Sequence, residues 1–402
     1  MKIASAWSTE PNPETAAAQA YDMLVKKLHD TPRLMLVHSS CEYDNREMVS
    51  RLRSLAPGVP LHGGTSCLGV MTEAGFHTRE GKGMGILGIL DPGGDYGVGI
   101  SDAGNNPERA AISAVDQALA QAGRPGEVPA AVLTSNYPGH EDGVIRAIEE
   151  YIGVDVPIIG GTSADNDMSG RWQQFGNDVV SAQAISVAAL FPSGDISYAF
   201  HSGYEPTRFR GRVTRAEDRI LHEIDNRPAA EVYNEWTEGL IAHVLPVGGS
   251  LVPTTTFSPL GNQVGYVGRI PYYRLSYPVE VVQNEALLLF AEVVPEGSEI
   301  VLMTGTHDSL ATRAGRVAGV AVEAAPFGMD EVEGAMVLFC AGCMLAIQDR
   351  MGTALADLNS ALSGSPFLCA FTLGEQGCFI GGENRHGNLM VAALVFGPMK
   401  LE

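Results

Sequence analysis

Two stretches of this chain repeat each other at a nearly constant distance, which limits the fold more than any composition does. Val59-Pro60-Leu61-His62-Gly63-Gly64-Thr65-Ser66 returns as Val156-Pro157-Ile158-Ile159-Gly160-Gly161-Thr162-Ser163, and Asn12-Pro13-Glu14 returns as Asn106-Pro107-Glu108. Pro60 and Pro157 are 97 residues apart and Pro13 and Pro107 are 94 apart, so both matches belong to one duplicated block. Each block reads as a short strand (Ile3–Trp7 or Tyr96–Ile100), then a helix opened by Asn12 or Asn106 with proline at its first position, where the missing N–H costs nothing. A buried strand follows (Leu34 to Val37, or Ala130 to Leu133). A second helix, with Asn45 or Asp142 as its expected cap, then leads to the Val-Pro strand, the Gly-Gly-Thr-Ser stretch read as a turn, and an apolar closing strand.

A third, more diverged copy is expected near the C-terminus. Its parts are strand Ile300–Met303, a helix from Asp308, strand Ala335–Phe339, a helix through Met351, Leu355 and Leu358, strand Pro366–Phe371 and a closing strand Leu389–Phe396. Thr372-Leu373-Gly374-Glu375 stands there in place of Gly-Gly-Thr-Ser. Between copies two and three lies a β-rich segment, with runs such as Arg208–Thr214 and Ala286–Val294. The expected fold is therefore α/β: tandem βαβα-type units, two N-terminal and one C-terminal, with a β-rich insert and two halves sharing a cleft. The boundaries fall at 1–195 for the duplicated half and 196–402 for the other, which divides into the insert (196–297) and the third copy (298–402).

In open α/β sheets ligands sit beyond the carboxyl ends of strands. The loops 39–44, 135–141 and 340–344, with the three turn regions, are therefore expected to line one pocket. Ser39 and Cys41 belong to it, as do the hydroxyls of Thr65, Ser66, Thr162 and Ser163, which with glycine-turn amides would suit an anionic group. Asp165 and Glu375 would meet a cation, and Arg385 a carboxylate, with His386 beside it. Cys340 and Cys343 form a C-x-x-C at a strand end, and with Cys378 and His386 they make a possible four-donor metal set; the competing reading is of buried thiols.

The formal charge of −21 is spread along the sequence, so nucleic acid and anionic membrane partners are not expected. No window approaches a spanning helix, no secretory leader is visible at the N-terminus, and six cysteines suit a reducing compartment; the expected location is cytoplasmic. Enzyme signatures such as Gly-x-Ser-x-Gly or His-Glu-x-x-His are absent, leaving a cysteine-dependent enzyme using Cys41, Cys67 or Cys343 as the minor alternative to a binding protein.

The chain resembles the FIST family (F-box and intracellular signal transduction proteins). The N-type features are Val156 through Asp165, the strand ending Ala188-Ala189-Leu190-Phe191-Pro192, and Val213-Thr214-Arg215-Ala216. Ile224-Asp225-Asn226-Arg227-Pro228-Ala229 resembles the junction into the C-type half. C-type features are Phe339-Cys340-Ala341-Gly342-Cys343, Phe371-Thr372-Leu373-Gly374-Glu375 and Arg385-His386-Gly387-Asn388. The resemblance implies a sensory module that binds a small, possibly amino-acid-like ligand and signals to a partner such as a histidine kinase; some relatives resemble haem-based nitric oxide sensors. The family's usual Cys-Gly-Arg is replaced here by Gly342-Cys343.

Overall fold

The computed structural model describes residues 1–267, 270–290, 295–379 and 382–399. The first unit runs β1 (Lys2–Ser8), α1 (Pro13–Leu28), β2 (Leu34–Ser39), α2 (Asn45–Leu55), β3 (Leu61–Thr65), a hairpin of β4 (Val70–Thr72) and β5 (Gly75–His77), and β6 (Met84–Leu90). The second repeats this order: β7 (Asp95–Asp102), α3 (Pro107–Gln121), β8 (Ala131–Asn136), α4 (Glu141–Ile152), β9 (Ile158–Thr162), the hairpin β10 (Gln174–Gly176) and β11 (Val179–Ser181), and β12 (Ala184–Phe191). Local chemistry starts the helices as the sequence suggests. The Asn12 side chain accepts the Thr15 amide at 2.9 Å and Asn106 accepts that of Arg109 at 2.8 Å, each ahead of a proline. The second helices open earlier than expected: Asp44 caps α2, one residue before Asn45, and α4 begins at Glu141 after His140, two residues before the place Asp142 would have capped.

A third unit opens with β13 (Gly194–His201), and the β-rich insert interrupts it. The insert comprises β14 (Glu205–Glu217), β15 (Ile220–Ile224), β16 (Arg227–Pro228), α5 (Ala229–Trp236), β17 (Gly249–Ser250), β18 (Leu260–Val267), β19 (Ile270–Ser276), β20 (Pro278–Val282), β21 (Ala286–Leu289) and β22 (Glu299–Thr304). The unit resumes with α6 (His307–Glu323), β23 (Gly334–Cys340), α7 (Ala341–Ala346), α8 (Met351–Ala361), β24 (Phe367–Thr372), the hairpin β25 (Glu375–Phe379) and β26 (Glu383–Gly387), and β27 (Val391–Met399). Ile300–Met303, expected to open the third copy, lies instead in β22 of the insert's nine-stranded sheet. The strand paired with β27 at the corresponding place is β13, some hundred residues earlier in the chain. The last four residues of the run Ala286–Val294 fall outside the described residues.

Three six-stranded sheets share one strand order. They read β1-β6-β2-β3-β10-β11, β7-β12-β8-β9-β25-β26, and β13-β27-β23-β24-β4-β5. Parallel pairing is confined to one pair in each, β2/β3, β8/β9 and β23/β24, because the closing strand returns antiparallel between the first and second. The strand-helix-strand alternation of the sequence leads one to expect mostly parallel pairing, and the sheets correct that expectation. Each sheet is completed by a hairpin from another unit: the second unit's hairpin covers β3, the third's covers β9, and the first's covers β24. The exchange is cyclic. Without it β3, β9 and β24 would be edges with unpaired backbone groups.

This pairing also revises the Gly-Gly-Thr-Ser stretches, which are not turns. Gly63, Gly64 and Thr65 end β3, and Gly160, Gly161 and Thr162 end β9. Their following amides are spent, Thr65 on the Gln173 carbonyl and Thr162 on that of Gly374, both at 2.8 Å, so no amide nest is left for an anion. The glycines serve close approach between units. A Cβ on Gly64 would lie 2.4 Å from the hydroxyls of Ser135 and Ser163, and one on Gly161 would lie 2.5 Å from Thr372.

Phe175 shows what the exchange contributes energetically. It belongs to the second unit's hairpin, is fully buried, and packs in the first unit's core with Leu24, Met48 and Leu52. Phe175→Ala should cost about 3–5 kcal/mol of global stability, the range for truncating a buried phenylalanine. Urea denaturation of the full chain measures it, and a loss below about 1 kcal/mol would show that the hairpin is not part of that core.

Candidate functional site

The strand ends meet at a pocket between the three units and the insert. Cys67 beyond β3, Asp165 to Met168 beyond β9, Cys340 to Gly342 beyond β23, Leu373 beyond β24 and Asn388 beyond β26 form its body side. Val252, Pro253, Thr256, Tyr277, Val279 and Phe290 of the insert close it, leaving a volume of about 100 Å³. The walls are mostly apolar. Asn388 stands out among their polar residues: it is 2% exposed, and neither its amide nitrogen nor its amide oxygen has a hydrogen-bond partner among the described residues. Asp165 lines the pocket, yet its carboxylate is spent on loop amides, accepting from Met168 and Gly170 at 2.7 Å and from Arg171 at 2.9 Å. It shapes the wall instead of offering a free charge.

Most other candidates lie elsewhere. Ser39 donates to Asn45 at 2.7 Å within the first unit. Ser66 accepts the Phe371 amide at 2.8 Å and Thr65 accepts that of Gln173 at 2.9 Å, so these two hydroxyls fasten units together, while Ser163 bonds Ser135 at 3.0 Å within the second unit. Thr162 donates to Glu141 at 2.9 Å. Cys41 is partly exposed outside the pocket wall, and burial raises its thiol. Arg385 pairs with Glu383 at the surface. The strand alternation of β26 explains this: Asn384 and His386 point inward while Arg385 points away, and the buried Asn388 follows just past the strand's end. Arg385 and the pocket wall are therefore not brought together.

Behind the Cys340 wall lies a buried polar knot that sequence reasoning missed. Arg313 of α6 is fully buried and, among the described residues, donates only to carbonyls, those of Ser202 (3.1 Å), Leu389 (2.9 Å) and Met390 (3.2 Å), while its Nε has no partner there. Its guanidinium sits 4.7 Å from the Phe339 ring and 6.0 Å from that of Tyr204. The Tyr204 hydroxyl donates to the Thr256 carbonyl at 2.7 Å and lies 3.4 Å from Cys343 Sγ. Glu375, beside them, accepts from Thr372 at 2.7 Å and from the Met390 amide at 2.9 Å; burial and then Cys340 push its carboxyl well above the usual range. It is a buried acid and not a cation contact at the ligand pocket.

Among the described residues no group of three or more His, Cys, Asp or Glu is arranged to hold a metal. Cys378 pairs with Asn384 in the sheet of the second unit, whereas Cys340 lies in that of the third, so the proposed Cys340, Cys343, Cys378 and His386 set does not converge. The pocket residues do not fit haem either: among the described residues no histidine lines the pocket, and its volume is small for a porphyrin.

His386 instead meets Asp142, its Nδ1 3.6 Å from the carboxylate, with Arg274 at the same distance on the other oxygen. Burial opposes the His386 charge, but Glu141 and Asp142 outweigh it and raise the imidazole above its ordinary 6.5. Burial likewise opposes the Asp142 charge, yet His386 and Arg274 hold it below 3.8. The histidine's contribution to stability is thus fully present below pH 6.5 and lost as pH rises through its raised value. That of the aspartate is present above pH 3.8 and lost as pH falls through its lowered value. Asp142→Asn should reduce the high-pH slope, with Glu141 still favouring the imidazolium, read by urea denaturation across pH, and His386 should titrate above 6.5 by NMR in the wild type. Titration below 6.5 would contradict the pairing.

Comparison with known proteins fits this organisation. A FIST N domain model matches residues 33–227, and a FIST C domain model matches residues 229–378. The uncharacterized protein MJ1623 of Methanocaldococcus jannaschii is 32% identical over 155 residues, which is 37% of this chain and 29% of that protein. The chain thus spans under a third of that relative's length. Among solved structures, the PurLQS complex of Thermotoga maritima overlaps 99% of this chain and 72% of its own, at 11% identity and a TM-score of 0.21. T. maritima PurL complexed with ADP overlaps 98% and 71%, at 9% identity and a TM-score of 0.22. Overlaps this loose carry no argument. Covered from residue 33 to residue 378 by its two domain models, this chain belongs to the FIST family, whose domains are associated with sensing in signal transduction.

Proposed function

We propose that this protein senses a small amino-acid-like ligand in the pocket between its three-unit body and its insert, and reports it to a signalling partner such as a histidine kinase. The carrying observation is Asn388. A buried amide with neither group bonded costs about 1–3 kcal/mol per orphaned group, and proteins keep such residues where something else completes them. An α-amino acid supplies both complements, its carboxylate accepting from Nδ2 and its ammonium donating to Oδ1. Leu345, Leu373, Tyr277 and Val279 would surround an apolar side chain.

A ligand held between body and insert favours the arrangement in which both contact it, and so shifts a population without chemistry. Six free cysteines suit a cytoplasmic setting, and among the described residues no helix is long and apolar enough to cross a membrane.

Asn388→Leu separates this reading from a structural role. It removes the orphaned amide, so the free protein should be as stable as the wild type or more so by about 1–3 kcal/mol. Binding of leucine, valine or methionine, measured by calorimetry and thermal shift, should weaken at least about tenfold. If none of these amino acids shifts the wild-type melting temperature, or the variant binds them equally well, the reading fails.

A further inference from the structure

The geometry points to the Cys340–Cys343 pair as a peroxide-reactive dithiol that closes to an internal disulfide on the wall of the pocket. Three observations support it. Cys340 lines the pocket, where a molecule as small as a hydroperoxide can reach it, and Cys343 lies fully buried one helical turn further on. Residues three apart on a first helical turn fall within the roughly 4.4–6.8 Å Cα separation that a disulfide accepts. Arg313, fully buried, meets only carbonyl oxygens and no carboxylate among the described residues, so its charge calls for an anion nearby. Glu375 is held toward its neutral form by burial, which leaves the thiol pair beside Tyr204 as the group that can supply the anion. In keeping with this, burial opposes the Cys343 thiolate, but Cys340 and Arg313 outweigh it and lower its pKa.

The chemistry balances with a hydroperoxide, here hydrogen peroxide, as oxidant. Cys340 passes its proton to the Cys343 thiolate and attacks one peroxide oxygen. The O–O bond breaks, the departing hydroxide takes that proton from Cys343 as water, and Cys340 is left as a sulfenic acid. The Cys343 thiolate then attacks the Cys340 sulfur, the S–O bond breaks, and the second hydroxide leaves as water with a proton from solvent. One disulfide forms, and one peroxide is reduced to two waters. The Cys343 thiolate is thereby consumed beside Tyr204, whose hydroxyl holds the insert at Thr256. Oxidation and ligand would thus act on the same junction.

The test is peptide mapping of the full chain after native treatment with hydrogen peroxide, alkylation and digestion without reductant. The expected product is a peptide lacking two hydrogens, with Cys340 and Cys343 joined and unalkylated, and dithiothreitol should restore it. Cys343→Ser, which lacks the base for the Cys340 proton, should form a sulfenic acid at Cys340 more slowly and leave it for dimedone to capture, whereas Cys369→Ser, in β24, should leave the closure rate unchanged. Peroxide doses that oxidise the partly exposed Cys41 while Cys340 and Cys343 remain alkylatable after unfolding would overturn the proposal. The mapping needs only wild-type protein, so poor folding of a variant does not blunt it. Loss of amino-acid binding would not affect it either.

Discussion

The cyclic exchange of hairpins is the constraint on which the rest of the structure depends. A six-stranded sheet that takes its last two strands from a neighbour cannot complete its core alone, as the burial of Phe175 among first-unit residues shows. Each unit lends one hairpin and borrows another, so three weakly related segments become one body. The ring places the chain just beyond β3, β9 and β24 around a common centre, where Cys67, Asp165 and Leu373 face one pocket. The insert, leaving the third unit after β13 and returning before α6, closes that pocket.

Charge burial explains why the C-terminal half carries the unusual chemistry. Arg313 is held by carbonyls and aromatic faces in a region where a free charge is costly; its neighbour Cys343 shifts toward the anion, while burial holds Tyr204 and Glu375 toward their neutral forms. Asp142, Arg274 and His386 form a second knot at the junction of β26 with α4. The two knots differ in kind. The Asp142 group balances its own charges, whereas the Arg313 group depends on a proton leaving a cysteine.

Sequence reading reached the order of strands and helices in the first two blocks and the caps at Asn12 and Asn106, because these follow from local periodicity and turn chemistry. It did not reach the hairpins, since three-residue strands such as Val70–Thr72 have no pattern long enough to register and owe their pairing to another unit. It misplaced the first strand of the third unit, because the insert separates β13 from the helix that follows it. Arg385 drew attention as a charged residue in a polar stretch, while Asn388, three residues on, was passed over. Counting by twos along β26 would have put 384 and 386 on one face and Arg385 on the other, but Asn388 lies past the strand's end, where that count no longer applies. No pattern in the sequence announces that Arg313, inside an ordinary amphipathic helix, is buried without a carboxylate.

The central claim is that the insert and the three-unit body are joined through what the pocket holds. Hydrogen–deuterium exchange of the full chain, with and without saturating leucine, reads both sides at once. The account predicts slowed exchange on the body side at residues 165–168 and 388–390, together with the insert side at 252–256 and 277–279. Protection confined to one side, or appearing only around Arg385 and Glu383, would contradict it.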